Sequence, residues 1–256
     1  MNAAAEPSWA RSDAERRARI DLAACHRLAA HFGFNEGIDN HLTMLVPGRS
    51  DRFYLAPFGL LWSEIRASDL MELDFGGKVL TGRGLVEDTA LYIHLSVHRL
   101  VPEARCVLHT HMPYATAISM LEEPRLEMAG QSAIGFQEQI AYVDYNGLAL
   151  DYSEGERLAR ALGGKPVALL RNHGVLVTAA TPALAFERLY FLERACQAQI
   201  LALSTGRPLH VVPAPVLEAT AAQFAGCTRV AGEERTELHF AALKRLLDRS
   251  DADYAS

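Results

Sequence analysis

Three histidines carry the most legible chemistry in this chain: His109 and His111 in Cys106-Val107-Leu108-His109-Thr110-His111, and His173 in Arg171-Asn172-His173-Gly174. Apolar residues precede the first pair as in a buried strand, whose two-residue period throws both imidazoles onto one face. One divalent metal could touch both. His173 lies between two apolar runs, Val167 to Leu170 and Val175 to Val177, with Gly174 behind it to let the backbone turn sharply. It could close a facial three-nitrogen site. The bland alternative is a set of satisfied core or surface histidines, since nothing in the spacing proves that the segments meet. A second pair, His94 and His98, stands at i and i+4 but lacks the glutamate of a zinc-protease motif, and reads as helix packing or hydrogen bonding.

The elements that must position these residues follow from pattern. Ser12 with Glu15 reads as a capping box, and apolar residues recur at helical spacing until Gly33. Short strands follow from Thr43 to Leu73, with one helical turn opened by Ser68-Asp69, and Asp74 to Leu80 reads as strand-turn-strand. Helices are expected over 88–100, 113–121, 155–162 and from Thr181 to Leu203 with Pro182 in the first turn, and a short strand at Ala141 to Val143. Leu209 to Pro215 reads as an extended arm, and Thr236 to Asp248 as a solvated amphipathic helix ending in a polar tail. Patterning alone therefore gives an α/β chain of open topology.

Composition narrows the partners. A chain of 256 residues supports one substantial core, and a net charge of −6 without basic stretches argues against nucleic acid or an anionic membrane, leaving a small molecule. Residues 1–10 lack the pattern of a secretory signal and no apolar run is long enough to span a bilayer, so a cytoplasmic protein is expected. Cys25, Cys106, Cys196 and Cys227 are scattered, which suits buried reduced thiols; Cys106, three residues from His109, falls on the opposite strand face.

From Gly33 to about Gly206 the chain resembles the class II aldolase/adducin family. The resemblance rests on motifs in order: Gly37-Ile38-Asp39-Asn40-His41-Leu42-Thr43, Ala56-Pro57-Phe58-Gly59, Ala67-Ser68-Asp69-Leu70, Val107-Leu108-His109-Thr110-His111 and Asn172-His173-Gly174. It implies an α/β three-layer fold with a central mixed or antiparallel sheet flanked by helices, over a domain spanning 12–206. Residues 1–11 are then an N-terminal tail and 207–256 a C-terminal arm and helix. It also implies one divalent ion on His109, His111 and His173, zinc first, with manganese, cobalt or iron as alternatives, and a homo-oligomer, tetramer favoured. Asn40 matches the substrate-contacting asparagine, and Phe58, Gly59, Asp88 and Thr89 fall where the family holds substrate.

The family's Ser-Ser-Glu aligns with Asp88-Thr89-Ala90, so its proton-transfer glutamate is replaced by Ala90. Glu87, Asp88 and Glu138 are the candidate replacements. Asp88 and Phe58 alter the phosphate pocket and point to a substrate without phosphate. The expected function is a metal-dependent carbon–carbon lyase, of aldolase or decarboxylase type, acting on a hydroxy- or oxo-carboxylate. Two other readings compete: a non-haem iron oxygenase of aromatic 2-oxo acids, and a catalytically silent adducin-like scaffold.

Overall fold

The computed structural model describes residues 9–226 and 232–256; Cys227 and most of the N-terminal tail lie outside the described residues. In chain order the elements are α1 (Asp13–Phe32), β1 (His41–Leu45), β2 (Arg52–Leu55), β3 (Met71–Asp74), β4 (Val79–Thr81) and α2 (Asp88–Leu100). There follow β5 (Cys106–Thr110), α3 (Pro113–Ser119), α4 (Gln131–Ile134), β6 (Ile140–Val143), α5 (Tyr152–Ala161), β7 (Val167–Leu170) and β8 (Gly174–Ala179). The chain closes with α6 (Pro182–Leu203), α7 (Ala214–Gly226), α8 (Gly232–Ser250) and a 3-10 turn at Ala252–Ala255. No helix among the described residues is long and apolar enough to cross a membrane.

The eight strands form one sheet in the order β4-β3-β2-β1-β5-β8-β7-β6, antiparallel throughout except for the β6–β7 pair. Alternation along the central strands sends side chains to two helical layers. Cys106 and Leu108 of β5, with Val175 and Val177 of β8, pack under α1, α3, α6 and α8. Val107 and Leu176 join Ile93, Val97 and Leu158 of α2 and α5 on the other face. Cys106 and His109 therefore lie on opposite faces, as the strand period requires.

Local signals explain where the elements stop. Ser12 Oγ accepts from Glu15 N and Gly33 ends α1 at φ 70°. The Glu15 carboxylate reaches back to Arg11 N at 3.2 Å rather than to Ser12, so the capping box is half formed. α3 has no side-chain cap of its own. Buried Glu193, arriving from α6, accepts from Tyr114 N and Ala115 N at 2.8 and 2.9 Å and satisfies that helix end from across the fold.

Several expectations change. Ser68-Asp69 opens a turn and not a helix, because Asp69 folds back to accept from Arg66 N at 2.9 Å. α5 starts at Tyr152, three residues earlier than periodicity suggests, since Asp151 caps it. The extended arm ends in α7, which small residues hid from a pattern reading. α8 is not a solvated terminal helix: Phe240 and Leu247 are buried in the main core against α6. The tail docks as well, Ala67 N and Ser68 N donating to Tyr254 O and Ser256 O at 2.9 Å.

Candidate metal centre

His109, at the end of β5, faces the α2 layer, and β1 pairs with β5 so that His41 stands directly opposite it. His111 follows two residues later on the same face. The β7–β8 turn then brings in His173, with Asn172 taking the left-handed conformation at φ 55°. Gly174 serves a different purpose from the one its sequence position suggests. Its φ is not positive; a Cβ there would stand 2.5 Å from Thr110 O and 2.8 Å from the His111 ring, so only glycine lets the hairpin close on β5.

The three rings converge. One ligand atom from each of His109, His111 and His173 lies within 4.8 Å of the others, the one such grouping of three metal-binding side chains among the described residues. The hydrogen-bond partners decide the tautomers. His109 Nδ1 donates to Val175 O at 2.9 Å and His111 Nδ1 to Glu36 Oε2 at 2.6 Å, leaving the Nε2 lone pair of each free. His111 Nε2 is buried without a partner among the described residues, an orphan that a cation would satisfy. Burial and the mutual repulsion of the rings push His109 well below the ordinary histidine value, and burial with His111 brings His173 down to about 4. All of this suits a divalent ion held by neutral imidazoles.

Asn40, at the end of the loop before β1, adopts φ 76°. Its Oδ1 accepts from Glu36 N at 3.0 Å and His111 N at 3.3 Å, while Nδ2 is buried and unpartnered among the described residues. The amide thus keeps a free donor beside His111. Asn40 lines a small cavity with His41, Phe58, Trp62, Glu87 and Ala90. Thr89, His109 and His173 line a neighbouring one with Tyr145 and Leu148 from the β6–α5 loop.

The expected substrate residues divide on this geometry. Phe58 lines the first cavity, and Gly59 follows it in the left-handed region at φ 103°. Asp88 is solvent-exposed at the first position of α2 and lines neither cavity; the carboxylate facing the first cavity is that of Glu87. Glu87 caps α2: its carboxylate accepts from Thr89 N, Thr89 Oγ1 and Ala90 N at 3.0, 2.6 and 2.7 Å. Burial opposes its ionisation, but these bonds hold the carboxyl below its usual range. Ala90 is buried beside it among Leu45, Leu55 and Met71. Glu138 lines neither of the two histidine cavities; it sits at φ 58° beside surface hollows formed with Arg188 and Lys165.

Glu36 and His41 escaped the sequence reading as working residues. Glu36 is 75 positions from the histidine it orients and no local spacing announces it. His41 did carry a signal: His41 and Thr43 share the two-residue period that singled out His109 and His111.

Comparison with known proteins gives a consistent family. Residues 20–200 match the family described as Class II Aldolase and Adducin N-terminal domain. An aldolase II superfamily protein from Pseudomonas syringae is similar in structure, with a TM-score of 0.87 at 36% identity over 96% of this chain and 97% of that one. L-fuculose 1-phosphate aldolase from Glaciozyma antarctica gives a TM-score of 0.80 at 26% identity, covering 97% of this chain and 96% of its own. A relative named decarboxylase NovR, from Streptomyces niveus, is 29% identical over 91% of this chain and 87% of its own length.

Proposed function

This chain belongs to the class II aldolase and adducin family, and we propose that it is a metal-dependent carbon–carbon lyase, of aldolase or decarboxylase type, acting on a hydroxy- or oxo-carboxylate without phosphate. The observation that carries the reading is the convergence of His109, His111 and His173 within 4.8 Å, with His111 Nε2 buried and unpartnered among the described residues. A silent scaffold has no use for such a group. A divalent cation on these rings, zinc first, supplies Lewis acidity to the substrate's oxygens.

The chain's own residues do the rest. Asn40 Nδ2 donates to a substrate oxygen, and Phe58, Leu60 and Trp62 form the apolar wall of the cavity. Glu87, ionised at neutral pH and pinned by three hydrogen bonds, is a better placed proton acceptor than Glu138. Among the described residues the cavity holding Asn40 and Glu87 has no Lys or Arg in its lining, so a phosphate dianion there would face the Glu87 carboxylate with no cationic side chain beside it. Exposed Tyr145 and Leu148 beside the histidines, with Leu150 exposed two residues on, support assembly into a homo-oligomer, a tetramer by family likeness.

The test is metal analysis of protein purified without added metal, followed by a screen of 2-oxo and 3-hydroxy acids with and without dioxygen. Bound metal and oxygen-independent cleavage of an unphosphorylated acid are expected, with fuculose 1-phosphate turned over weakly. Robust turnover of the phosphate would overturn the substrate class. Stoichiometric oxygen uptake by iron-loaded protein would replace the lyase with an oxygenase.

A further inference from the structure

Behind the metal centre lies a row of buried polar groups that metal binding does not use. His98 Nδ1 is 2.6 Å from Ala104 O, and His98 Nε2 is 2.8 Å from Thr43 Oγ1. Thr43 Oγ1 is 2.6 Å from His94 Nδ1, and His94 Nε2 is 2.7 Å from His41 Nδ1. His41, His94 and His98 are each 7% exposed or less, and Thr43 is fully buried. This arrangement comes from crossing two periods: His41 and Thr43 alternate on β1, while His94 and His98 lie one turn apart on α2 above them.

The backbone carbonyl sets the direction of every bond in the row. Ala104 O can only accept, so His98 Nδ1 carries the proton, and in a neutral ring Nε2 is then bare. Thr43 must give its single hydroxyl proton to that nitrogen. Having none left, Thr43 accepts from His94 Nδ1, which leaves His94 Nε2 bare and able to accept from His41 Nδ1. Desolvation keeps the rings neutral, holding His98 at about 4 and His94 well below the ordinary value. The row therefore ends on a His41 Nε2 without a proton. That atom is 4.0 Å from Glu87 Oε2 and 3.5 Å from Thr89 Oγ1, whose own proton goes to Glu87 at 2.6 Å. Two acceptors thus face the cavity together, and what fits between them is a donor.

We propose that His98, Thr43 and His94 form a directional hydrogen-bond chain that holds His41 in one tautomer, presenting its unprotonated Nε2 as the acceptor for the hydroxyl of a hydroxy-acid ligand. His94, His98 and Thr43 are positioning residues. The hydroxyl assignment rests on the lyase reading; the tautomer does not.

Nitrogen-15 NMR of the histidine rings tests both parts. In metal-free and zinc-loaded protein, His98, His94 and His41 are each expected to show a protonated Nδ1 and a pyridine-like Nε2. A protonated Nε2 on His41 overturns the proposal, and so does cadmium-113 coupling to that nitrogen in cadmium-loaded protein, which would make it a fourth ligand. Thr43→Val is expected to release His94 and His41 into mixed tautomers and Thr43→Ser to restore one; unchanged tautomers in a folded Thr43→Val protein refute the chain. Should Thr43→Val fail to fold, the wild-type assignments decide alone. Adding glycolate to zinc-loaded protein should move the His41 Nε2 resonance where acetate does not. Equal shifts, or none, remove the hydroxyl role while leaving the tautomer result and the metal reading intact.

Discussion

Glu36 shows how a single exposed side chain can orient one histidine of the candidate metal site from outside the three-ring cluster. Its carboxylate takes the Nδ1 proton of His111 at 2.6 Å and so fixes which nitrogen of that ring is free. Val175 O does the same for His109, but a backbone carbonyl cannot be removed by mutation. Replacing Glu36 by alanine is expected to weaken zinc binding about 10- to 100-fold, the usual effect of losing a partner of a ligating histidine. Competition with a chromophoric chelator measures it. Unchanged affinity would show that the ring is held by packing alone.

At the scale of elements, the β7–β8 hairpin closes on β5 with no room for a side chain at Gly174. Gly174→Ala must displace both the Thr110 carbonyl and the His111 ring, each closer than 3 Å to the new methyl. Overpacking of this kind costs about 1–3 kcal/mol. Because the clash lies between two ligand-bearing segments, the variant should lose zinc affinity along with stability. Chemical denaturation and metal titration on the same preparation test the pair of effects; a destabilised variant that binds zinc normally would mean that the strain relaxes away from His111.

For the whole molecule, two features tie stability to buried ionisable groups. The buried Arg27 guanidinium pairs with Asp251 at 2.5 Å and Asp253 at 3.0 Å, and donates to Ile65 O at 2.8 Å. Deleting residues 251–256 strands that charge and should cost about 3 kcal/mol, read as a lower midpoint in urea. The second feature is acid lability. Burial holds His26 and His98 at about 4 in the folded chain, against about 6.5 in the unfolded one. Above pH 6.5 neither state binds these protons and the stability is complete. As pH falls from 6.5 toward 4, the unfolded chain takes up protons that the folded one refuses, and each ring removes on the order of 3 kcal/mol. Denaturant titrations across this window should show the fall; a flat profile would mean that the rings protonate in place.

Local periodicity determined much by itself. The two-residue period placed His109 and His111 on one face, the caps Ser12 and Gly33 bounded α1, and ordered motifs carried the family. These depend on neighbours a few residues apart, whose geometry the backbone dictates. Tertiary structure alone decided the rest: that His173, joined to the pair only by family resemblance in the sequence, meets it in space, that Glu36 orients His111 from 75 positions away, and that Glu87 rather than Asp88 faces the cavity. Only the folded chain shows α8 as core rather than solvated helix. It also turns His94 and His98 from helix packing into one end of a chain reaching His41. Such contacts join residues that no local rule relates; they arise when β1, β5 and α2 stack, and burial then demands a partner for every polar atom enclosed.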